Sequence, residues 1–343
     1  MNNAALETNA CLGRALAALQ RRLHDALGSI SARELAAAAG VAPGDAWRLA
    51  EELRGLGVEV VGSADLGWRL AGDSDLPLPE LLAPRIAETI FAGNVHHFAS
   101  IASTNAAAMR AGADAEAEGV LPTASQGAVW LAEEQTAAKG RAGHSWKSNP
   151  ADGIYCSALL RPKLAPVDVI ILSLAAGLAV VDAVREVTGL CGDLRWPNDV
   201  LIGGRKFCGI LTELNAEITR VRYVVVGIGL NVNNTEFPPE LAPIATSLRM
   251  QAGQSFSRLE LVAALLRALD REHKALCEGV GAAREQILRR FEQHSSFCRG
   301  CAVFVEEDGG YEGMTRGLDE RGFLRIETAH GMRTVLSGGV RKR

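Results

Sequence analysis

Two stretches of the sequence gather residue types suited to chemistry on anions. The first runs from Glu133 to Trp146, after the apolar run Ala128–Ala132, and packs Lys139, Gly140, Arg141, Gly143 and His144 into six positions. Glycines let a backbone approach a ligand closely and turn amide donors toward it. Lysine and arginine bring the cationic donors that neutralise carboxylate and phosphate oxygens. No Gly-Lys-Ser/Thr follows at the required spacing, so this is not a P-loop. Alone, it reads as a basic surface loop.

The second stretch runs from Leu194 to Leu211. Pro197 forbids helix and holds Trp196 extended, which leaves Asn198 and Asp199 at a turn between two apolar strands. An ordinary Pro-Asn-Asp turn has the same composition. Lys206 stands at the mouth of a strand otherwise bound for the core, and by itself would face solvent. Two further strings belong with these. Ser103-Thr104-Asn105 opens a helix; its hydroxyls are most simply N-caps, yet are free to meet a ligand. Arg222–Asn233 is a buried strand with Gly227 and Gly229 on alternate positions, leaving one face bare for a ligand or another backbone. Gly227-x-Gly229 does not extend into a dinucleotide fingerprint.

The elements that must position these residues fall into three blocks. Residues 12–27 carry apolar side chains at helical spacing, with Arg21, Arg22 and Asp25 on the polar side. Ser31 and Glu34 form a capping box opening a helix through Ala39, Gly40–Pro43 is a turn, and a third helix follows from about Gly44 to Leu56. Gly57–Val61 and Gly67–Leu70 read as a two-stranded wing, so residues 1–72 are expected to be a winged helix-turn-helix. Its presumed recognition helix offers Trp47 and Arg48 to DNA, but Asp45, Glu51 and Glu52 lie among them. Residues 1–85 hold 8 Lys+Arg against 11 Asp+Glu, a balance of -3, and phosphate contacts usually dominate DNA affinity. DNA binding and a retained scaffold or dimer-tuning module both remain open.

Residues 73–84, rich in Pro and Asp, form a linker. From Arg85 to residue 293 the pattern is mixed α/β: strands at Val95–Ala99 and Ile154–Leu160, a long helix from Pro166 to Val187, and amphipathic helices at 258–275 and 281–292. From 294 to 343 the period switches to two, with turns at Asp308-Gly309-Gly310, Asp319–Gly322 and His330-Gly331, the pattern of a small β-barrel.

Composition bounds the rest. The chain has 343 residues, 48% hydrophobic and 22% charged, ordinary for a globular protein of two or three domains. A formal net charge of -4 argues against coating nucleic acid by charge alone. The longest apolar run, Val169 to Val181, suits a buried helix better than a bilayer span, and no basic segment followed by an apolar core opens the chain; a cytoplasmic protein without membrane contact is expected. Seven cysteines are irregularly spaced, as for reduced thiols. Cys298-Arg-Gly-Cys301 is the only C-x-x-C, and with no second pair at metal spacing it is read as two small half-buried hydrophobes.

Together, Ser103-Thr104-Asn105, Gln135 through Trp146, Arg195-Trp196-Pro197-Asn198-Asp199, Lys206–Gly209 and Gly227–Asn231 resemble the biotin–protein ligases, specifically the bifunctional kind that is also the biotin operon repressor. The likeness spans nearly the whole chain, and implies a winged helix, a class II synthetase-like α+β catalytic domain with a mixed sheet, and an SH3-like barrel. It implies a two-step ligation: biotin and ATP give biotinyl-5′-AMP and pyrophosphate, then a lysine of biotin carboxyl carrier protein takes the biotinyl group.

By this resemblance Lys206 and Arg141 are the catalytic cations, and biotin is held by Ser103, Thr104, Asn105, Gln135, Lys139, Gly140, Arg141, Trp146, Lys206, Gly209 and Gly227. The nucleotide falls to Lys139, Arg141, Arg195, Trp196, Asn198, Asp199 and Asn231, and Mg²⁺ to Asp199. A homodimer binding operator DNA is also implied. The family loop usually reads Gly-Arg-Gly-Arg-Arg-Gly; here it is Ala138-Lys139-Gly140-Arg141-Ala142-Gly143, so Ala138 cannot take a positive φ cheaply and Lys139 loses the bidentate fork. Segment 234–248, where the family has an adenylate-covering loop, offers only Phe237 as an aromatic lid. Two alternatives stay in view: a lipoate ligase, which shares the catalytic fold, and a biotin-responsive repressor whose catalysis has decayed.

Overall fold

A computed structural model describes residues 3–25, 28–118, 126–307, 309–336 and 339–342. The first block contains helices α1 (Asn3–His24), α2 (Ala32–Ala39) and α3 (Ala46–Gly55), then an antiparallel hairpin of β1 (Val60–Ser63) and β2 (Gly67–Leu70). Helix α1 starts nine residues before the expected Leu12, and its expected end at Leu27 lies outside the described residues. The capping box forms as read: the Glu34 amide donates to Ser31 Oγ, and the Ser31 amide donates to the Glu34 carboxylate at 3.0 Å. Helix α3 begins two residues later than expected because Pro43–Asp45 winds a separate 3₁₀ turn. Trp68 fills the space between hairpin and helices, only 2% exposed.

The connecting segment is anchored to the central block. Leu76, Leu78, Leu81 and Leu82 are buried, the last two on the short helix α4 (Pro79–Leu82). Asp75 takes a bidentate pair from Arg258 at 2.9 Å on both arms, and Arg258 also donates to Glu133 at 2.6 Å. Glu133 in turn meets His97 at 3.0 Å. Burial pushes the Glu133 carboxyl up, but the His97 hydrogen bond and the Arg258 charge outweigh it and hold the group below its ordinary range.

The central block is a seven-stranded mixed sheet in the order β3-β4-β5-β9-β8-β7-β6. Strands β3 (Val95–Ile101) and β4 (Val129–Gln135) run parallel, joined by α5 (Thr104–Ala117); the remaining pairs are antiparallel. Strand β5 (Gly153–Leu160) is buried along its length, as is most of β9 (Val221–Asn231), which explains their largely apolar sequences. Strands β6 (Asp193–Arg195), β7 (Asp199–Ile202) and β8 (Arg205–Ala216) complete the sheet.

One face is covered by α6 (Ile170–Thr188), α8 (Arg258–Glu278) and α9 (Val280–Gln293), while α7 (Leu248–Ala252) is a short turn before α8. Helix α6 is apolar and long enough to cross a membrane by length and composition, but its side chains from Ile171 to Val181 are all buried, so it is the core helix of this block. Helix α5 packs on the opposite face, where Gly112 gives room to the Tyr223 ring.

The last block holds β10 (Arg299–Val305), β11 (Tyr311–Leu318), β12 (Leu324–Thr328), β13 (Gly331–Val335) and β14 (Val340–Lys342), an antiparallel sheet in the order β13-β12-β11-β10-β14; the Asp308 of its first expected turn lies outside the described residues. It docks on the central sheet through the Trp196 indole, which donates to Gly322 O at 2.9 Å.

Candidate active site

The strand β4 ends at Gln135, and the chain then folds over the open face of β8 and β9. Lys139 pairs with Ser145 in an isolated bridge, the Gly140 amide donates to His144 O at 2.6 Å, and the Trp146 amide donates to Ala138 O at 3.2 Å. The basic stretch is thus a tight loop that doubles back on itself. Its left-handed residue is Gly143, at φ 79°; Ala138 keeps an ordinary φ, so alanine there is unstrained.

The doubling back delivers Trp146 onto the glycine face. A Cβ built on Gly229 would stand 2.6 Å from the indole Cε2, and one on Gly209 2.8 Å from Cζ3. Gly209 and Gly229 are register partners on β8 and β9, so their bare faces make one floor for the ring. The alternate-glycine pattern therefore serves a close approach, as read from the sequence, and the approaching group here is the protein's own indole. The ring's Nε1 is buried with no hydrogen-bond partner among the described residues.

Lys206 arches over the same floor, its ammonium 5.3 Å from the Trp146 ring centroid and 2.6 Å from Asp199 Oδ1. Arg195 holds the other Asp199 oxygen at 2.5 Å. Asn198 fixes the turn by donating to Ile210 O at 2.8 Å while its own oxygen accepts from Arg141 at 3.1 Å. Burial lowers the Arg141 guanidinium from its ordinary value and the Asp199 charge opposes the shift; an arginine stays protonated throughout. The cations of the two stretches, 65 residues apart in sequence, face one cleft across Asn198 and Asp199.

The far end of the cleft is neutral. Ser103 caps α5, its Oγ accepting from the Ala106 amide at 3.3 Å. Gln135 Oε1 accepts from the Thr104 amide at 2.9 Å, and Gln135 Nε2 donates to Ser148 Oγ at 3.2 Å. Ser157, wholly buried on β5, bridges Thr104 Oγ1 at 2.8 Å and Asn105 Oδ1 at 2.6 Å. Cys156 also lines the cleft, but burial pushes its thiol up to about 12, so it is no nucleophile near neutral pH.

Eleven of the residues singled out for the acid substrate, Ser103 through Gly227, line this one cleft. Of those singled out for the nucleotide, Lys139, Arg141 and Asn198 line it, and Arg195 and Asp199 stand beside Lys206. Trp196 and Asn231 do not: Trp196 lines a neighbouring cavity against Phe323 and Leu336, and Asn231 donates to Thr246 O at 3.1 Å. Sequence reasoning missed Ser148, Ser157 and Glu213. Ser157 gave no signal of its own, being one of two hydroxyl residues in an apolar strand; its register partner is Gly227. At the other end of the chain, Trp47 is 57% exposed and Arg48 reaches toward Glu52 at 3.6 Å and Asp45 at 3.9 Å.

The chain aligns with the bifunctional ligase/repressor BirA of Bacillus subtilis at 30% identity, over 91% of this chain and 93% of that protein. It belongs to the biotin/lipoate A/B protein ligase family. Residues 115–231 match that family directly, and 301–343 match the biotin protein ligase C-terminal domain. The biotin--[acetyl-CoA-carboxylase] ligase of Mycobacterium tuberculosis is 36% identical over 70% of this chain and 85% of its own. Among solved structures, the biotin protein ligase of Aquifex aeolicus in complex with biotin and ATP superposes with a TM-score of 0.61 at 30% identity, covering 73% of this chain and all of that one. The family match begins inside α5 and ends at Asn231, so it takes in the cationic loop, the Asn198–Asp199 turn, Lys206 and the glycine floor.

Proposed function

We propose that this protein is an ATP-dependent biotin–protein ligase that forms biotinyl-5′-AMP and passes the biotinyl group to a lysine of biotin carboxyl carrier protein. The observation that carries the reading is the convergence of Lys206 and Arg141 on one cleft whose other end is neutral and hydrogen-bonding. Joining a carboxylate to a triphosphate requires two anions to meet, and fixed cations in a partly desolvated cleft lower that barrier.

In the first step a biotin carboxylate oxygen forms a bond to the α-phosphorus, the bond from that phosphorus to the bridging oxygen breaks, and pyrophosphate leaves. Lys206 leaves Asp199 to hold the reacting oxygens, Arg141 and Lys139 shield the phosphates, and the neutral end seats the ureido ring. In the second step the carrier amine attacks the acyl carbon, AMP leaves, and the amine's extra proton is lost. The cleft offers a single carboxylate beside the cations, and no group of three or more His, Cys, Asp or Glu among the described residues forms a metal cage. That donor set fits Mg²⁺ arriving with the triphosphate, held by Asp199 with Asn198 nearby, since Mg²⁺ keeps several waters and takes few protein ligands. When bound, the ion neutralises phosphate charge.

The flanking blocks complete the reading. Helices α1–α3 with the β1–β2 wing are a winged helix-turn-helix (1–72), the last sheet is an SH3-like barrel (294–343), and the intact chain is a biotin-responsive repressor acting as a homodimer on operator DNA. Beyond Ile210, β8 pairs only with β9 among the described residues, and its open edge with the exposed Leu214 supports pairing between copies.

Incubation with biotin, ATP, Mg²⁺ and a carrier domain, read by intact mass, tests the ligase: the carrier gains one biotinyl group. No mass gain, with no adenylate in the supernatant, refutes it. A gel shift on the protein's own biotin-gene promoter tests the repressor, which requires adenylate-dependent binding.

A further inference from the structure

Glu213 on β8 touches none of the cations and does not line the cleft, yet a chain of hydrogen bonds ties it to the neutral end. Asn105 Nδ2 donates to Glu213 Oε2 at 2.8 Å and to Leu211 O at 3.3 Å. Both partners are acceptors only, so the Asn105 amide is pinned with its nitrogen toward β8 and its oxygen toward Ser157. Ser157 has one proton, and Asn105 Oδ1 takes it at 2.6 Å. The Ser157 lone pairs then accept from Thr104 Oγ1 at 2.8 Å; the other acceptor near that hydroxyl, Gln135 Oε1 at 3.1 Å, already takes the Thr104 amide. By either route the Thr104 proton points into the protein, and what its oxygen turns toward the cleft is a lone pair. Gly227 keeps this packing possible, because a Cβ there would stand 2.0 Å from Asn105 Oδ1.

We infer that Glu213 is a positioning residue that sets the hydrogen-bond polarity of the cleft's neutral end, making Thr104 an acceptor that selects a ligand N–H. A cyclic urea presents such an N–H, whereas a dithiolane ring presents none, so the relay favours a biotin-like ring over a lipoate-like one. The inference rests on the ligase reading and adds a selectivity element to it. Without the carboxylate, Asn105 is held by one long bond, its amide turns over, and both hydroxyl protons are released to point either way.

The test measures binding by calorimetry and adenylation kinetics for the full chain, with biotin, its two mono-N-methylated ureido isomers and lipoate, in wild type, Glu213→Gln and Glu213→Leu. Glu213→Leu is expected to weaken biotin binding and raise the biotin KM about tenfold, the worth of one part-buried hydrogen bond, with kcat nearly unchanged. It is also expected to erase most of the discrimination against one N-methyl isomer. Glu213→Gln keeps an acceptor for Asn105 Nδ2 and should restore wild-type behaviour. If Glu213→Leu binds biotin and both isomers with the wild-type affinities and ratios, the relay is wrong while the ligase reading stands. Should wild type itself bind no biotin, both fall. A general loss of fold would lower kcat and the melting temperature in the leucine and glutamine variants alike, and that pattern also overturns the inference.

Discussion

Substituting Gly229 by alanine perturbs the site at its floor, and the size of the effect can be worked from one distance. The added Cβ would stand 2.6 Å from Trp146 Cε2 and 2.8 Å from Nε1. Carbon atoms pack at about 3.5–4.0 Å, so the rigid ring must rise by about 1 Å. Strand β9 cannot yield instead, because it is paired on both sides, with β5 and with β8. Overpacking of this kind costs about 1–3 kcal/mol. A 1 Å misplacement of a substrate-contacting group costs up to about 100-fold in rate. The lifted ring also presses on the Lys206 ammonium above it.

Adenylate formation in Gly229→Ala is therefore expected to fall between about tenfold and 100-fold by that same geometric argument. A double-mutant cycle checks the cause: in a Trp146→Ala background the Gly229→Ala substitution meets no ring, and its stability cost in urea should drop below about 0.5 kcal/mol, as for a surface change. Wild-type turnover in Gly229→Ala, or an equal stability cost in both backgrounds, would falsify the view that the indole rests on these glycines.

Three further outcomes are expected from the same structure. Lys206→Ala and Arg141→Ala should each reduce adenylate formation by about 100–1,000-fold, as removal of one preorganised donor does elsewhere, measured by pyrophosphate release; near-normal rates in both would remove the site assignment. Arg258→Met strands two carboxylates, Asp75 and the buried Glu133, and is expected to lower stability by about 3–5 kcal/mol in urea, with a matching loss of protection of the 73–84 segment from proteolysis. Glu80 sits against Gly13 of α1 with its Oε2 unpartnered among the described residues, and burial raises its carboxyl above the ordinary range. A raised carboxyl favours the fold below the unfolded value and loses that contribution as pH rises through the folded one, so Glu80→Gln should melt higher than wild type at pH 7 and equal to it near about pH 4.

How far the sequence foretold this molecule depends on the range of the interaction concerned. Strand and helix positions rest on local period and local caps, and Ser31–Glu34, the apolar runs of β5 and β9 and the Pro197 turn appear where those patterns put them. Boundaries moved where tertiary packing intervenes: β3 runs two residues beyond the expected Ala99, and α8 three beyond residue 275. The connecting segment looked loose because its prolines and aspartates are turn formers; Arg258, more than 180 positions on, is what ties Asp75 down.

In the site, the cations and glycines were readable because each is unusual for its place: a lysine in a core-bound strand, or glycines on alternate residues of another. Ser157 and Glu213 are ordinary residues for a strand, and they acquire meaning only from register. Ser157 stands opposite Gly227, and Glu213 opposite Val225, two places along β9 from that same glycine. The bare glycine lets Asn105 come down from the start of α5 and touch both. The same missing side chain that a sequence reader assigns to a ligand's approach is here occupied by the protein's own amide, and at Gly229 by its own indole. A ligand therefore meets an interior already filled by side chains whose donors and acceptors are fixed, and its selection depends as much on what holds those side chains as on the groups it touches.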